Sequence, residues 1–246
     1  MARKQDKATS SDELRNLIAT CLSDFYQRRA QRLGTLRLKH ILRRKNPYLY
    51  KATGTQSATE IVEEILRAYL SSSDEGLFGD AFFEPIAKTV SGGVISPTEG
   101  VDVAIETADR YVAVAVKSGP NPFNSSQVKR QSDEFATLRR RLSKLHKQFD
   151  PVLGHAYGKK QTPPTRTKIY RDVSGQRFWE ELTGDSNFFV KLIQLMDDTV
   201  IARHRGEYRA EWQKAVNRYV REFTTDFCRG DGSIDWEKLL EFNSGK

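Results

Sequence analysis

Residues 99–130, EGVDVAIETADRYVAVAVKSGPNPFNSSQVKR, decide how the chain is read. Val101, Val103 and Ile105 alternate with Asp102, Ala104 and Glu106; Val112, Val114 and Val116 alternate with Tyr111, Ala113, Ala115 and Lys117. A period of two sends successive side chains to opposite sides of an extended backbone, so both runs are strands with an apolar face. Ala108-Asp109-Arg110 between them predicts an antiparallel hairpin. With Asp109-Arg110 as the two turn residues, Asp102 falls directly opposite Lys117, on one face of the sheet, β-carbons about 4.5–5.5 Å apart. Ser118-Gly119-Pro120-Asn121-Pro122 stops the second strand.

Upstream of the hairpin the period is helical. Ser57 and Glu60 form a capping box ahead of Ile61, Ile65, Leu66, Tyr69 and Leu70. Ser71-Ser72-Ser73-Asp74 then predicts a break and the cap of a further helix over 75–90, which Pro85 kinks or ends. Another capping box, Ser10 with Glu13, opens an amphipathic helix over 11–33 carrying Leu14, Leu17, Ile18, Cys21, Leu22 and Phe25. The basic run Arg37 to Lys45 follows and stops at Asn46-Pro47. Downstream, 125–148 reads as a helix, 151–157 as a strand, 158–175 as a basic, proline-containing loop, and 188–228 as largely helical. The chain contains no internal repeat and no composition break marking a linker. The expected architecture is α/β, a mixed central sheet flanked by helices over 46–246, preceded by a basic helical arm at 1–45.

Charge is distributed unevenly. Residues 1–45 carry 12 Lys/Arg against 4 Asp/Glu and residues 125–175 again 12 against 4, whereas 46–124 carry 5 against 11. Two basic regions suit a polyanion, and the acidic stretch between them suits cations. No apolar run reaches membrane-spanning length and the first residues lack the apolar core of a secretory signal, so a cytoplasmic protein without a membrane partner is expected. Cys21 and Cys228 have no metal-ligand spacing and read as free thiols. The four histidines lack ligand spacing as well, and there is no P-loop, dinucleotide fingerprint or activated nucleophile.

A carboxylate and an ammonium at the open end of a hairpin have a specific use. The carboxylate holds a divalent cation that polarises a phosphate and acidifies water, and the lysine stabilises charge on the phosphorane-like transition state. An ordinary cross-strand salt bridge, worth up to roughly 1 kcal/mol when exposed, has the same spacing, so spacing alone leaves both open. Neighbouring residues favour the first. Gly79-Asp80-Ala81-Phe82-Phe83-Glu84 places Glu84 where it can reach over the sheet as a second metal ligand. After Lys117 come Asn121, Asn124, Ser125, Ser126 and Gln127, small hydrogen-bonding side chains ahead of Lys129 and Arg130. Lys159, Lys160, Gln176 and Arg177 are further candidates for contacts to DNA.

Gly-x4-Glu, then Asp, then x-x-Lys at a strand end resembles the PD-(D/E)xK nuclease superfamily. Several stretches resemble PmeII-type type II restriction endonucleases more closely: 70–84, 99–106, 114–130, 174–185 and 234–244, the KSGPN…NSSQ block being the most specific. The resemblance implies a restriction-endonuclease-like core with additional N- and C-terminal helices. It implies a magnesium-dependent enzyme that cuts double-stranded DNA at a specific short sequence, a homodimer by analogy, with a DNA methyltransferase as genetic partner. Asp102 becomes the metal-binding aspartate, Lys117 the catalytic lysine and Glu84 the helix acid. One position departs from the pattern: Ala115 stands where the superfamily has Asp or Glu, and alanine cannot ligate a metal. Glu84, Glu99, Gln127 and Glu134 are the candidate replacements, Gln127 resembling the helix glutamine of RecB-like nucleases. Two other functions stay open: a RecB-like exonuclease or repair nuclease, and an inactive DNA-binding protein on a nuclease scaffold.

Overall fold

A computed structural model describes residues 10–95 and 99–245; residues 1–9, the start of the expected basic arm, lie outside the described residues. The described chain builds one mixed sheet: β1 Val94–Ile95, β2 Val103–Glu106, β3 Arg110–Lys117, β4 Gln148–His155, β5 Gln161–Thr162 and β6 Arg171–Ser174, in the spatial order β1-β2-β3-β4-β6-β5. β1, β2 and β3 run antiparallel, β3, β4 and β6 run parallel, and β5 is an antiparallel edge. The helices are α1 Ser11–Thr35, α2 Leu38–Leu42, α3 Pro47–Ala52, α4 Ala58–Phe78, α5 Glu84–Val90, α6 Ser125–Arg141, α7 Gly175–Thr183, α8 Phe188–Gln194, α9 Asp198–Phe227 and α10 Trp236–Ser244. The α/β class expected from the changing period is the class observed. Among the described residues no helix is long and apolar enough to cross a membrane.

The chain divides into two compact units, 10–25 with 75–201, and 26–74 with 202–246. The first holds the sheet, and the period of two in β3 distributes its side chains between two cores. Val114 and Val116 join Val103, Val152, Phe82, Ile86, Phe178 and Trp179 on one face. Ala113 and Ala115 meet Ala104, Leu153, Phe135 and Tyr170 on the other, where their small size lets α6 lie close. The second unit is helical, around Leu38, Ile61, Ile65, Val216, Tyr219 and Phe223. There the Tyr219 hydroxyl donates to the Leu36 carbonyl at 2.7 Å, satisfying a backbone acceptor just past the end of α1. Both cysteines are free.

Of the two expected capping boxes the first closes and the second forms by half, because the Glu60 carboxylate accepts from Gln56 N at 3.0 Å instead of from Ser57 N. Glu13 N donates to Ser10 Oγ at 3.1 Å while Glu13 Oε2 accepts from Ser10 N at 2.9 Å, and Glu60 N donates to Ser57 Oγ at 3.2 Å. The break expected at Ser71–Asp74 does not occur. Ser72 Oγ donates to the Tyr69 carbonyl at 2.8 Å and Ser73 Oγ to the Leu70 carbonyl at 3.0 Å, so the hydroxyls bond back into the helix instead of capping a new one. α4 therefore runs to Phe78 and passes through a π-helical turn, Gly79–Phe83, into α5. Pro85 follows that π-turn as the second residue of α5 and has no N–H to donate back into it. The basic loop expected over 158–175 contains β5 and β6, and the helix expected over 125–148 ends at Arg141.

The hairpin register also differs from expectation. Thr107 N donates to the Arg110 carbonyl at 2.8 Å, and Thr107 Oγ1 accepts from Arg110 N at 3.1 Å and donates to Asp109 Oδ1 at 3.0 Å. The threonine fixes the turn on Ala108-Asp109, one residue earlier than expected. The pairs are then Glu106↔Tyr111, Ile105↔Val112, Ala104↔Ala113 and Val103↔Val114. Continued by one step, the ladder sets Asp102 against Ala115, and Lys117 lies two residues beyond.

Candidate active site

Asp102 immediately precedes β2, where the ladder slips. Its N–H donates to the Val114 carbonyl at 2.8 Å, one residue out of step with the strand pairs, and its Oδ2 accepts from Val116 N at 2.8 Å. The carboxylate thus takes the strand-end N–H that a β2 carbonyl would otherwise have met. A charge-assisted bond of this kind fixes the side chain at the carboxyl end of β3.

Glu84 arrives at the same place by way of the π-turn, in which its N–H reaches back five residues to the Gly79 carbonyl. Gly79 lets this turn press on the strand end: a Cβ there would lie 3.3 Å from Ser118 Cβ. Glu84 becomes the hub of four charged side chains. Its Oε1 is 3.9 Å from Lys117 Nζ and its Oε2 is 3.5 Å from Lys88 Nζ, while Asp102 Oδ1 is 3.9 Å from the same Lys88 Nζ. Asp102 and Lys117 therefore share a site without being cross-strand neighbours. Lys88 escaped the sequence reading, although it lies four residues after Glu84, on the same face of the helix.

Burial, and next the charge of Asp102, push the Glu84 carboxyl up to about 7, against the opposing pull of Lys117 and Lys88. Two carboxylates facing each other with only long contacts to ammonium groups make a hard-oxygen donor pair. Among the described residues no group of three or more His, Cys, Asp or Glu stands together as a metal site. Two carboxylates fit magnesium nonetheless, because that ion characteristically keeps several waters and takes further oxygens from a phosphate substrate. Ala115 is buried beneath α6. Of the other candidate ligands, Glu99 and Glu134 both grip Arg130, at 2.6 and 2.9 Å, and Gln127 Oε1 accepts from Asn124 N at 2.9 Å.

The turn after Lys117 is anchored from below. In the parallel register Lys117 pairs with His155 and His155 with Ser174. His155, fully buried, lies 2.8 Å through Nδ1 from the Gly119 carbonyl and 2.9 Å through Nε2 from Asp172 Oδ1. Burial alone would raise the Asp172 carboxyl, but bonds from His155, Lys168 and Thr162 hold it well below the usual carboxylate range. Lys160 Nζ donates to the Pro120 carbonyl at 3.1 Å. Ser118 Oγ donates to Glu75 Oε1 at 2.6 Å, which also accepts from Tyr157 OH at 2.9 Å. Sequence reading missed this support, since a single buried histidine in a strand carries no local signature.

The polar run has mixed placements. Asn124 caps α6, its Oδ1 accepting from Gln127 N at 3.0 Å and from Ser126 Oγ at 2.7 Å. Asn121, Ser125, Lys129 and Lys159 are exposed. Gln176 Nε2 donates to the Ser186 carbonyl at 3.0 Å, and Arg177 Nε to Glu181 at 3.1 Å. Trp179 is buried in the core, its Nε1 donating to the Ala156 carbonyl at 2.9 Å.

A family model described as type II restriction endonuclease EcoO109I matches residues 12–204, well over half of the chain and inclusive of every side chain in this site. No curated protein matches the chain.

Proposed function

The chain belongs to the type II restriction endonuclease EcoO109I family, and on that premise we propose that Glu84, Asp102 and Lys117 form the centre at which it cuts double-stranded DNA, with magnesium as cofactor, at one short sequence. Membership makes the protein a site-specific deoxyribonuclease, and its helix-flanked mixed sheet is the restriction-endonuclease-like arrangement. The observation that carries the site assignment is the meeting of two carboxylates and two ammonium groups at one strand end, with Glu84 raised to about 7 by burial and by Asp102.

Glu84 and Asp102 would hold the magnesium ion, which supplies positive charge to the scissile phosphate and acidifies a water. Glu84 supplies the second carboxylate that Ala115 cannot. Asp102, fixed by the Val116 N–H, offers its other oxygen without conformational search. Lys117 donates to a non-bridging phosphate oxygen, where charge grows as the nucleophile attacks. Lys88 orients both carboxylates before the cation arrives. Lys129, Lys159, Gln176 and Arg177 lie on exposed surface and suit DNA contacts. Cutting both strands of a symmetric site calls for a homodimer, and protection of host DNA calls for a methyltransferase of the same specificity, both in the cytoplasm.

Digestion of plasmid DNA of known sequence, followed by sequencing of the ends, tests this reading. Discrete fragments in magnesium, none in EDTA, and none with Asp102→Ala or Lys117→Ala are expected. Progressive degradation would point to an exonuclease instead, and undiminished cutting by both variants would remove the site assignment.

A further inference from the structure

Ser174 ends β6 and stands before the first residue of α7 in the extended conformation of a helix cap (φ −127°, ψ 154°), yet its side chain caps nothing. The residue is 2% exposed and its hydroxyl has no hydrogen-bond partner. A buried, unpaired hydroxyl destabilises a fold, so its retention calls for a use. The reason it fails to cap lies in Gly175. That residue is left-handed (φ +59°), which turns the first N–H groups of α7 away from the Ser174 oxygen. Glycine is needed there, since a Cβ would lie 2.5 Å from the Gly158 carbonyl oxygen.

The nine-residue α7 thus begins with uncapped N–H groups and a spare hydroxyl at the polar side of a cavity of about 1100 Å³, where Lys159, Gln176 and Arg177 stand with Glu180 the opposing charge; the rest of its wall is largely apolar, Phe83 and Ile193 included. Uncapped N–H groups at a helix start attract anions, and the hydroxyl adds a donor that nothing else claims. The location matters as much as the chemistry. Lys117, His155 and Ser174 form one row across the carboxyl ends of three parallel strands. At about 4.8 Å per strand, Ser174 lies roughly 10 Å along that edge from Lys117.

We propose that Ser174 and the start of α7 bind a second backbone phosphate of the DNA strand whose scissile phosphate lies at Lys117. This rests on the nuclease reading above. The Ser174 hydroxyl donates to a phosphate oxygen, the positive end of the α7 dipole favours the same anion, and Lys159 screens it from the outside. Ser174 is a positioning residue for the strand to be cut.

The test uses the full chain in EDTA and a duplex bearing the sequence cleaved in magnesium, with single phosphates replaced in turn by uncharged methylphosphonates. Wild-type protein should lose about tenfold in affinity at one position besides the scissile one, the effect of one charged hydrogen bond. Ser174→Ala should bind unmodified DNA about tenfold more weakly and lose nothing further at that position. The same variant should melt at or above the wild-type temperature, because it removes an unpaired hydroxyl. A lower melting temperature would give the hydroxyl a structural role and overturn the proposal. So would full DNA affinity with an unchanged methylphosphonate profile. If wild-type protein binds no DNA at all, the nuclease reading itself fails, a distinct result.

Discussion

At the amino ends of β3, β4 and β6, Asp150 accepts from Arg171 Nε and Nη2, both at 2.9 Å, and from Arg110. Arg171 also forks onto Glu181 at 3.1 and 2.7 Å. At the carboxyl end of β3, two acids and two bases, Glu84, Asp102, Lys88 and Lys117, approach no closer than 3.5 Å. The consequences are opposite. Burial alone would raise the Asp150 carboxyl, but Arg171 and Arg110 more than offset it and hold it below its ordinary value. Glu84 is pushed up to about 7. Guanidinium forks match carboxylates bidentately and complete one network, whereas point-charge ammonium groups at long range leave oxygens available in the other. A closed ion network serves the fold; an open one is suited to receive a cation.

The sharpest way to break this contrast is to remove one carboxylate from each end. Asp102→Asn should lower the cleavage rate by on the order of a thousandfold with little change in melting temperature, because an amide oxygen can still accept from Val116 N. Asp150→Ala should leave the rate per folded molecule near wild type while costing about 2 kcal/mol of stability, since it removes the charged hydrogen bonds from Arg171 and Arg110 and leaves Arg171 only Glu181. Initial rates and denaturant unfolding on both variants decide the matter, and exchanged phenotypes would invert the assignment.

Glu84→Gln sharpens it through pH. The folded-state value of about 7 exceeds the unfolded value near 4.5, so this carboxyl favours the fold when protonated, and that favour is lost as pH rises between the two. Removing the charge should therefore stabilise the metal-free protein at pH 8, by up to about 3 kcal/mol, and have no effect at pH 4. Cleavage should fall steeply at either pH. Thermal melts across that range read the sign directly.

With Glu84 as the proposed magnesium ligand, the ion would have to displace its proton below the titration point. Apparent magnesium affinity should rise about tenfold per pH unit up to 7 and level off above, as measured by metal titration of activity. A pH-independent affinity would remove Glu84 from the ligand set. The smallest effect belongs to Lys88→Met, which should lower the rate roughly severalfold, since Lys88 contacts only carboxylates at 3.5 and 3.9 Å and Lys117 remains. A loss as large as that of Lys117→Ala would move the transition-state contact to Lys88.

Local rules recovered much of the chain. The capping box at Ser10, the Ser57 cap on Glu60 N and the two alternating strands follow from periods and short-range bonds, and the structure has them. Errors came where two local rules competed. Four consecutive cap-forming residues at 71–74 looked like a break, but hydroxyls that bond the preceding turn are equally content inside a helix. Thr107 shifted the turn by one residue, and with a period of two each such shift moves every cross-strand partner.

By itself the sequence determined which residue types were available for chemistry and that Asp102 and Lys117 sit at strand ends, because alternation and turn residues are local properties. It pointed to Glu84 as an acid reaching over the sheet, but not to the π-turn that aims it, to Lys88 beside it, or to His155 locking the turn beneath. Those placements depend on a π-turn and on parallel strand register, where residues tens of positions apart are brought together by packing. Such energies belong to the assembled core and have no counterpart in any short window of chain.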